Sequence, residues 1–157
     1  MENLNCVVAS GLAERYETLG SRVRELAAPL TQEQFWIKPF PFGNSFGHLV
    51  LHLTGNSNYY IGARIAGTKY VRDRDREFTE TRQLPKEEVL QSFDETIAMV
   101  LRTVRAQSAE DWTASYNAVG AENVANRFQM VLRCAAHLDH HVGQMIYLGF
   151  ALGRAEA

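Results

Sequence analysis

Four long stretches of this chain carry apolar residues at intervals of three and four, which places those side chains on one face of an α-helix. The stretches cover residues 3–28, 44–66, 85–107 and 122–152. An amphipathic helix must cover its apolar face, and four helices can do so by packing around one core. Because no convincing strand pattern occurs between them, the sequence predicts an all-α four-helix bundle.

Local signals mark where several of these helices begin and end. Asn44 or Ser45 suits the N-cap of the second helix, and Gly67 suits its end. Pro85 fits the first turn of the third helix, because proline has no N–H to leave unpaired there. The segment Thr31–Gln34 resembles a capping box and predicts a short helical turn. Two connecting segments are expected to be loops, namely residues 68–83 and 108–121.

Length and composition exclude several classes of protein. The 157 residues are enough for one domain, residues 1–157, with a core of its own. A net charge of −2 gives no electrostatic basis for binding nucleic acid. No apolar run approaches the roughly 18 residues of a membrane span. The polar N-terminal residues do not resemble a signal peptide, and two isolated cysteines suggest no disulfide framework, so we expect a cytoplasmic protein.

The histidines are confined to two of the predicted helices. All five lie in two short segments, as His48 and His52 in the second helix and His137, His140 and His141 in the fourth. Pairs spaced i, i+4 share one helical face, and His137 and His141 follow the stripe that faces the core. Ligands on facing helices are how bundles hold metal ions, and three imidazoles leave coordination positions open. The pattern predicts a divalent metal site.

The spacing does not assign a role to every histidine. His140 is rotated by about 100° from His141, so we expect it to face solvent or an interface. His48 shares a face with His52, which permits a four-histidine site or a position at its mouth as a proton shuttle. Asn56, one turn after His52, can orient substrate or simply make an interhelical hydrogen bond. His48 and Asn56 are therefore the catalytic candidates.

Three further features allow more than one interpretation. The arginines of the run Arg72–Phe78 can bind an anionic substrate, but their alternation with acidic residues favours ion pairs within a solvated loop. Cys134 can be a metal ligand or nucleophile, and a small buried apolar side chain is the more common role. Gln144, one turn beyond His141, can hydrogen-bond near the site or serve the packing of the bundle.

The combination of these segments resembles the DinB-like (YfiT-like) superfamily. The resemblance rests on the segment Asn44–Asn56, on His137, His141 and Gln144, and on the run Arg72–Phe78, which is closest to an uncharacterised branch. It implies a four-helix bundle with up-down-down-up helix order, often as a homodimer. It also implies that His52, His137 and His141 hold a divalent metal such as zinc, nickel or another first-row ion. His48 does not fall on a ligand position of the family, so the four-histidine site becomes the second choice.

The resemblance further implies a class of reaction. Some members of the superfamily are transferases or isomerases that use low-molecular-weight thiols such as bacillithiol or mycothiol. A metal with open positions lowers the pKa of a bound thiol, which suits that chemistry. We therefore expect a metal-dependent thiol S-transferase or a related hydrolase, with substrate reaching the site near His48 and the Arg72–Arg76 run. The alternative is a non-catalytic, stress-related bundle that binds metal or a small ligand as a dimer.

Overall fold

The computed structural model describes residues 3–153 and contains seven α-helices and no β-strand in that range. The helices are α1 (Leu4–Ala27), α2 (Gln32–Trp36), α3 (Phe46–Ser57), α4 (Arg74–Thr79), α5 (Lys86–Arg105), α6 (Ala109–Thr113) and α7 (Arg127–Ala151). Among the described residues, no helix is both long and apolar enough to cross a lipid bilayer. The all-α prediction is confirmed.

The four longer helices form the bundle. Helix α1 packs against α5 and α7, and α3 packs against the same two helices, so α1 and α3 occupy opposite corners. A single turn of π-helix, Asn58–Ala63, extends α3. The Tyr16 hydroxyl in α1 donates a hydrogen bond of 2.8 Å to the Val131 carbonyl in α7. This packing brings α3 and α7, which carry the histidines, into direct contact, while the up-down-down-up order stays a prediction.

The capping signals are used as the sequence indicates. Ser45 caps α3, its hydroxyl accepting a hydrogen bond from the backbone N–H of His48. The capping box at Thr31 and Gln34 is complete, with both side-chain bonds present. Gly67 has a φ of +71°, in the left-handed region that glycine adopts without strain. The Ser45 cap fixes where α3, the helix that carries His52, begins.

The structure differs from the sequence prediction in the two connecting segments. Residues 68–83 contain α4, which is capped by the Asp73 carboxylate, and residues 108–121 contain α6. Helix α7 begins five residues later than the predicted residue 122, because Asn126 caps it and the preceding segment pairs with other backbone. The backbone N–H of Tyr116 bonds the carbonyl of Ala125 at 3.1 Å, which holds that segment extended.

Candidate metal centre

Three histidines converge at the contact between α3 and α7. His52 lies in the middle of α3, and His137 and His141 lie one turn apart on α7. The Nε2 atom of His137 is 3.2 Å from Nε2 of His52 and 3.1 Å from Nε2 of His141. One ligand atom from each of the three residues lies within 4.8 Å of the other two. The structure thus brings together the three side chains that the spacing and the resemblance single out.

Hydrogen bonds to the outer ring nitrogens fix the orientation of two of the rings. Nδ1 of His52 donates to the Glu77 carboxylate at 2.8 Å, and Nδ1 of His141 donates to the Gln144 side-chain oxygen at 2.7 Å. Carboxylate and amide oxygens only accept, so Nδ1 of each ring carries a proton and Nε2 is the nitrogen that can bind a metal. Histidines that bind metal through Nε2 commonly donate their other N–H in this way.

The three rings cannot satisfy one another without a cation. Burial lowers the pKa of His137 to about 3, and burial also lowers the pKa of His141, so both rings are neutral at pH 7. A neutral His137 has at most one proton on Nε2, which can serve only one of the two facing lone pairs. Its buried Nδ1 has no hydrogen-bond partner among the described residues. A divalent cation would satisfy all three Nε2 lone pairs.

The observed distances suit metal coordination. Metal–nitrogen bonds of about 2.0–2.1 Å at a tetrahedral angle place two nitrogens about 3.3 Å apart. The two measured Nε2 separations, 3.1 and 3.2 Å, lie close to that value. Donor type, tautomer and spacing therefore fit a divalent ion. Imidazole ligation alone does not select zinc over nickel or another first-row metal.

Glu77 and Arg72 form a buried ion pair behind His52. Nε and Nη2 of Arg72 donate to the two oxygens of the Glu77 carboxylate at 2.7 and 2.8 Å. The two side chains are only 9% and 6% exposed. The predicted ion pairing within this segment is confirmed, and residues 73–76 are exposed, but the segment is the helix α4 and not a loop, and α4 carries Glu77 inward. Burial alone would raise the pKa of Glu77, but the bonds from His52 and Arg72 outweigh it and hold that pKa below its usual value.

Gly55 makes room for that carboxylate. A Cβ atom built at Gly55 would lie 2.0 Å from Oε1 of Glu77, so any larger residue would displace the carboxylate. The Phe78 ring also packs on the His52 ring, with centroids 4.6 Å apart. The sequence reasoning missed the role of Glu77. The signal that could have revealed it is Gly55, a helix-interior glycine three residues after His52, where a second segment can approach closely.

A cavity of about 700 Å³ opens beside the histidines, and His52 and His137 form part of its wall. Asn56 also lines it, is 9% exposed, and its side chain forms no hydrogen bond with the described residues. Cavities of this size accommodate small organic molecules. The metal ligands and a small-molecule pocket are therefore continuous.

With this geometry established, comparison with known proteins gives a family. Residues 15–145 match the DinB superfamily, which is most of the chain. The chain belongs to the DinB superfamily. No curated protein matches it closely enough to add an activity to that assignment. The family confirms the resemblance inferred from the two histidine segments.

In this DinB-superfamily chain, His48 and His140 lie outside the group in which the other three histidines converge. Nε2 of His48 donates to the Glu80 carbonyl at 2.9 Å, and its Nδ1 accepts from the Ser45 hydroxyl at 2.6 Å. Both nitrogens are thus engaged, Nδ1 at the N-cap of α3 and Nε2 with the segment after α4, and His48 does not line the cavity. His140 accepts a bond of 3.2 Å from the Gln144 amide, outside the converging group. We expected substrate to approach near His48 and the Arg72–Arg76 run, and of these the run contributes Arg72 and Arg74 to the cavity wall while His48 does not line it.

Cys134 is the one cysteine of this DinB chain that lines the cavity. It is fully buried, and that burial raises its pKa to about 12. The residue therefore carries a protonated thiol at neutral pH. The interpretation of Cys134 as a small buried side chain agrees with this environment, and the thiol is a poor nucleophile as it stands.

Proposed function

We propose that this DinB-superfamily protein is a divalent-metal-dependent enzyme that acts on a small molecule, with thiol S-transfer as its reaction. His52, His137 and His141 hold the metal in this proposal. The observation that carries it is the convergence of three Nε2 atoms, two of them with lone pairs fixed by partners, beside a cavity. Protein sites with three ligands are typical of catalytic metals, because a position stays open for substrate.

The protein contributes orientation and enclosure to this chemistry. When bound, a divalent ion supplies Lewis acidity that lowers the pKa of a thiol or a water molecule. Glu77 holds the His52 ring and its tautomer, and the Arg72 guanidinium holds Glu77. Asn56 offers an amide donor and acceptor on the cavity wall, one turn from His52. These contacts set the position of a substrate group before reaction, as preorganised sites do.

In this proposal the nucleophilic sulfur belongs to a substrate thiol and not to a cysteine of the protein. Cys134 is protonated, so the described cavity wall offers no thiolate of its own. In S-transfer the sulfur of the incoming thiol bonds to an electrophilic carbon, a leaving group departs with its electron pair, and the thiol proton passes to solvent. Hydrolysis at the same site is the related reaction, with water in place of the thiol.

The proposal includes a homodimer in the cytoplasm. Large side chains are exposed at the C-terminal end of α7, where Tyr147 is 74% and Phe150 is 59% exposed. Exposed aromatic residues on one helix are typical of surfaces that pair with another subunit. A second copy of the chain is the partner that we propose for this face.

A screen of metal-loaded protein with thiols and electrophiles tests the catalytic claim. Tag-free protein loaded with zinc or nickel is incubated with a panel of low-molecular-weight thiols and chlorodinitrobenzene, and product formation is followed by absorbance. We expect a metal-dependent rate that His137→Ala abolishes and that His140→Ala, outside the converging group, retains. Metal uptake without turnover on any thiol would instead favour the non-catalytic metal-binding bundle.

A further inference from the structure

The cavity beside the histidines carries unpaired positive charge. Three arginines line it, Arg72, Arg74 and Arg133, and no aspartate or glutamate does. The buried Glu77 carboxylate neutralises Arg72. Arg74 and Arg133 form no ion pair within residues 3–153. Because the whole chain has a net charge of −2, this local excess of positive charge is not a general property of its surface.

Neutral groups hold the two unpaired arginines in place. The Arg74 guanidinium lies over the Phe78 ring, 5.4 Å from its centroid. Arg133 donates to the Asn123 side-chain oxygen at 3.3 Å and to the Gly120 carbonyl at 3.1 Å. These contacts orient the guanidinium groups without cancelling their charge. Since a guanidinium has five N–H donors, each arginine keeps donors for a ligand.

The remaining wall of the cavity suits a flat or apolar group. Tyr59, Tyr60 and Tyr70 line it, together with apolar side chains such as Met130. Asn56 adds a polar group that is 9% exposed and has no partner among the described side chains and backbone. Because the Asn56 amide lines the cavity and makes no hydrogen bond within residues 3–153, its donor and acceptor groups are available to a ligand.

We propose that this cavity binds a small organic anion, with its carboxylate or phosphate at Arg74 and Arg133 and its body along the tyrosines. Arginine donors match the geometry of carboxylate and phosphate oxygens and give strong, charge-assisted hydrogen bonds. The other end of the ligand reaches the wall formed by His52 and His137. This inference deepens the proposed function, on which its catalytic meaning rests, by naming the chemical class of the substrate.

Probes of one shape and different charge test the proposal. Phenylacetate, phenyl phosphate and the neutral phenylacetamide are titrated into full-length protein, and dissociation constants are taken from amide chemical shifts in NMR spectra. Each titration is made with metal-loaded protein and with chelator-treated protein. We expect at least one anion to bind about tenfold more tightly than the amide, a difference of about 1.4 kcal/mol, because hydrogen bonds to charged groups are stronger than those to neutral groups. The two anions show whether the site prefers carboxylate or phosphate.

Substitutions locate the binding. Arg74→Gln and Arg133→Gln should each weaken anion binding about fivefold or more and leave the amide unaffected. Arg102→Gln removes an exposed charge outside the cavity, so its affinity should match the wild type. His141→Ala removes a metal ligand that does not line the cavity, so this variant should lose metal and keep anion binding. That variant separates this inference from the proposed metal site.

Three results would overturn the inference. Equal affinity for phenylacetamide and both anions would show that charge is not recognised. Unchanged anion affinity in both arginine variants would place the anion elsewhere. Anion binding that disappears with the metal in every variant would identify the probe as a metal ligand only. If metal uptake is normal in any of these cases, the proposed metal centre stands without the anion site.

Discussion

Replacing Glu77 with glutamine changes the charge behind His52 while keeping the shape of the side chain. The carboxylate accepts from Nδ1 of His52 at 2.8 Å and from two nitrogens of Arg72 at 2.7 and 2.8 Å. Glutamine offers one acceptor oxygen and one amino group in the same volume. At least one of the three N–H groups, which come from His52 and Arg72, would then face the amino group of the glutamine. The Arg72 charge would also lose its partner.

The expected effects of Glu77→Gln are large because the ion pair is buried. Removing one member of a buried pair typically costs about 3–5 kcal/mol of stability. Loss of the residue that orients a metal-binding histidine typically lowers metal affinity about 10- to 100-fold. That range corresponds to about 1.4–2.7 kcal/mol of binding free energy. Both values apply here because Glu77 contacts His52 and Arg72 directly and both partners are buried.

A second variant separates the two effects. The double variant Arg72→Met/Glu77→Gln removes the unpaired charge, so it should regain part of the stability but not the metal affinity. Asp94→Asn breaks a more exposed ion pair, that of Arg24, and should cost at most about 1 kcal/mol. Metal affinity is measured by competition with a chromophoric chelator, and stability by urea unfolding. A folded Glu77→Gln protein with metal affinity within twofold of the wild type would refute the reasoning.

Two further predictions concern packing and pH. Gly55→Ala should displace Glu77, lower the free energy of unfolding by about 1–3 kcal/mol and weaken metal binding. Gly143→Ala is the control, because it adds a methyl group in open space and should be neutral or stabilising by up to about 1 kcal/mol. Equal denaturation midpoints and equal metal affinities for the two variants would contradict the role assigned to Gly55. Burial lowers the pKa of His48 in the folded state, so protonation favours unfolding. Metal-free protein should have its full stability above about pH 6.5 and lose it as the pH falls towards the folded-state pKa of His48. Urea unfolding at pH 7.5 and 5.5 should show that metal-free His48→Gln loses less stability between the two pH values than the metal-free wild type. Equal losses in the two proteins would count against a role for His48 in the pH dependence.

The parts of the site that follow from local sequence were predictable. Helical spacing placed His137 and His141 on one face of α7, and their position on a core-facing stripe pointed them towards another helix. The resemblance then supplied His52 as the third member. The short range of these patterns, three or four residues, is the range over which helix geometry fixes side-chain direction. The same logic correctly separated His140 from the converging group.

The parts that depend on tertiary packing were not predictable in this way. Alternating charge around Glu77 looks the same in a solvated loop and in a short helix folded onto Gly55, because charge alone does not report burial. His48 shares the i, i+4 relation with His52, yet bonds to Ser45 and to the Glu80 carbonyl direct its ring away from the cavity. Long-range contacts decide both cases, and local spacing carries no information about them.

Elemental analysis combined with metal titration tests the central claim most directly. Protein purified without chelator and without a nickel-affinity tag is analysed for first-row metals, and the metal-free form is then titrated with zinc and nickel. The three-histidine centre predicts about one divalent ion per chain, with uptake abolished in His52→Ala, His137→Ala and His141→Ala but not in His140→Ala. A content well below one equivalent, together with no uptake on titration by correctly folded protein, would contradict it.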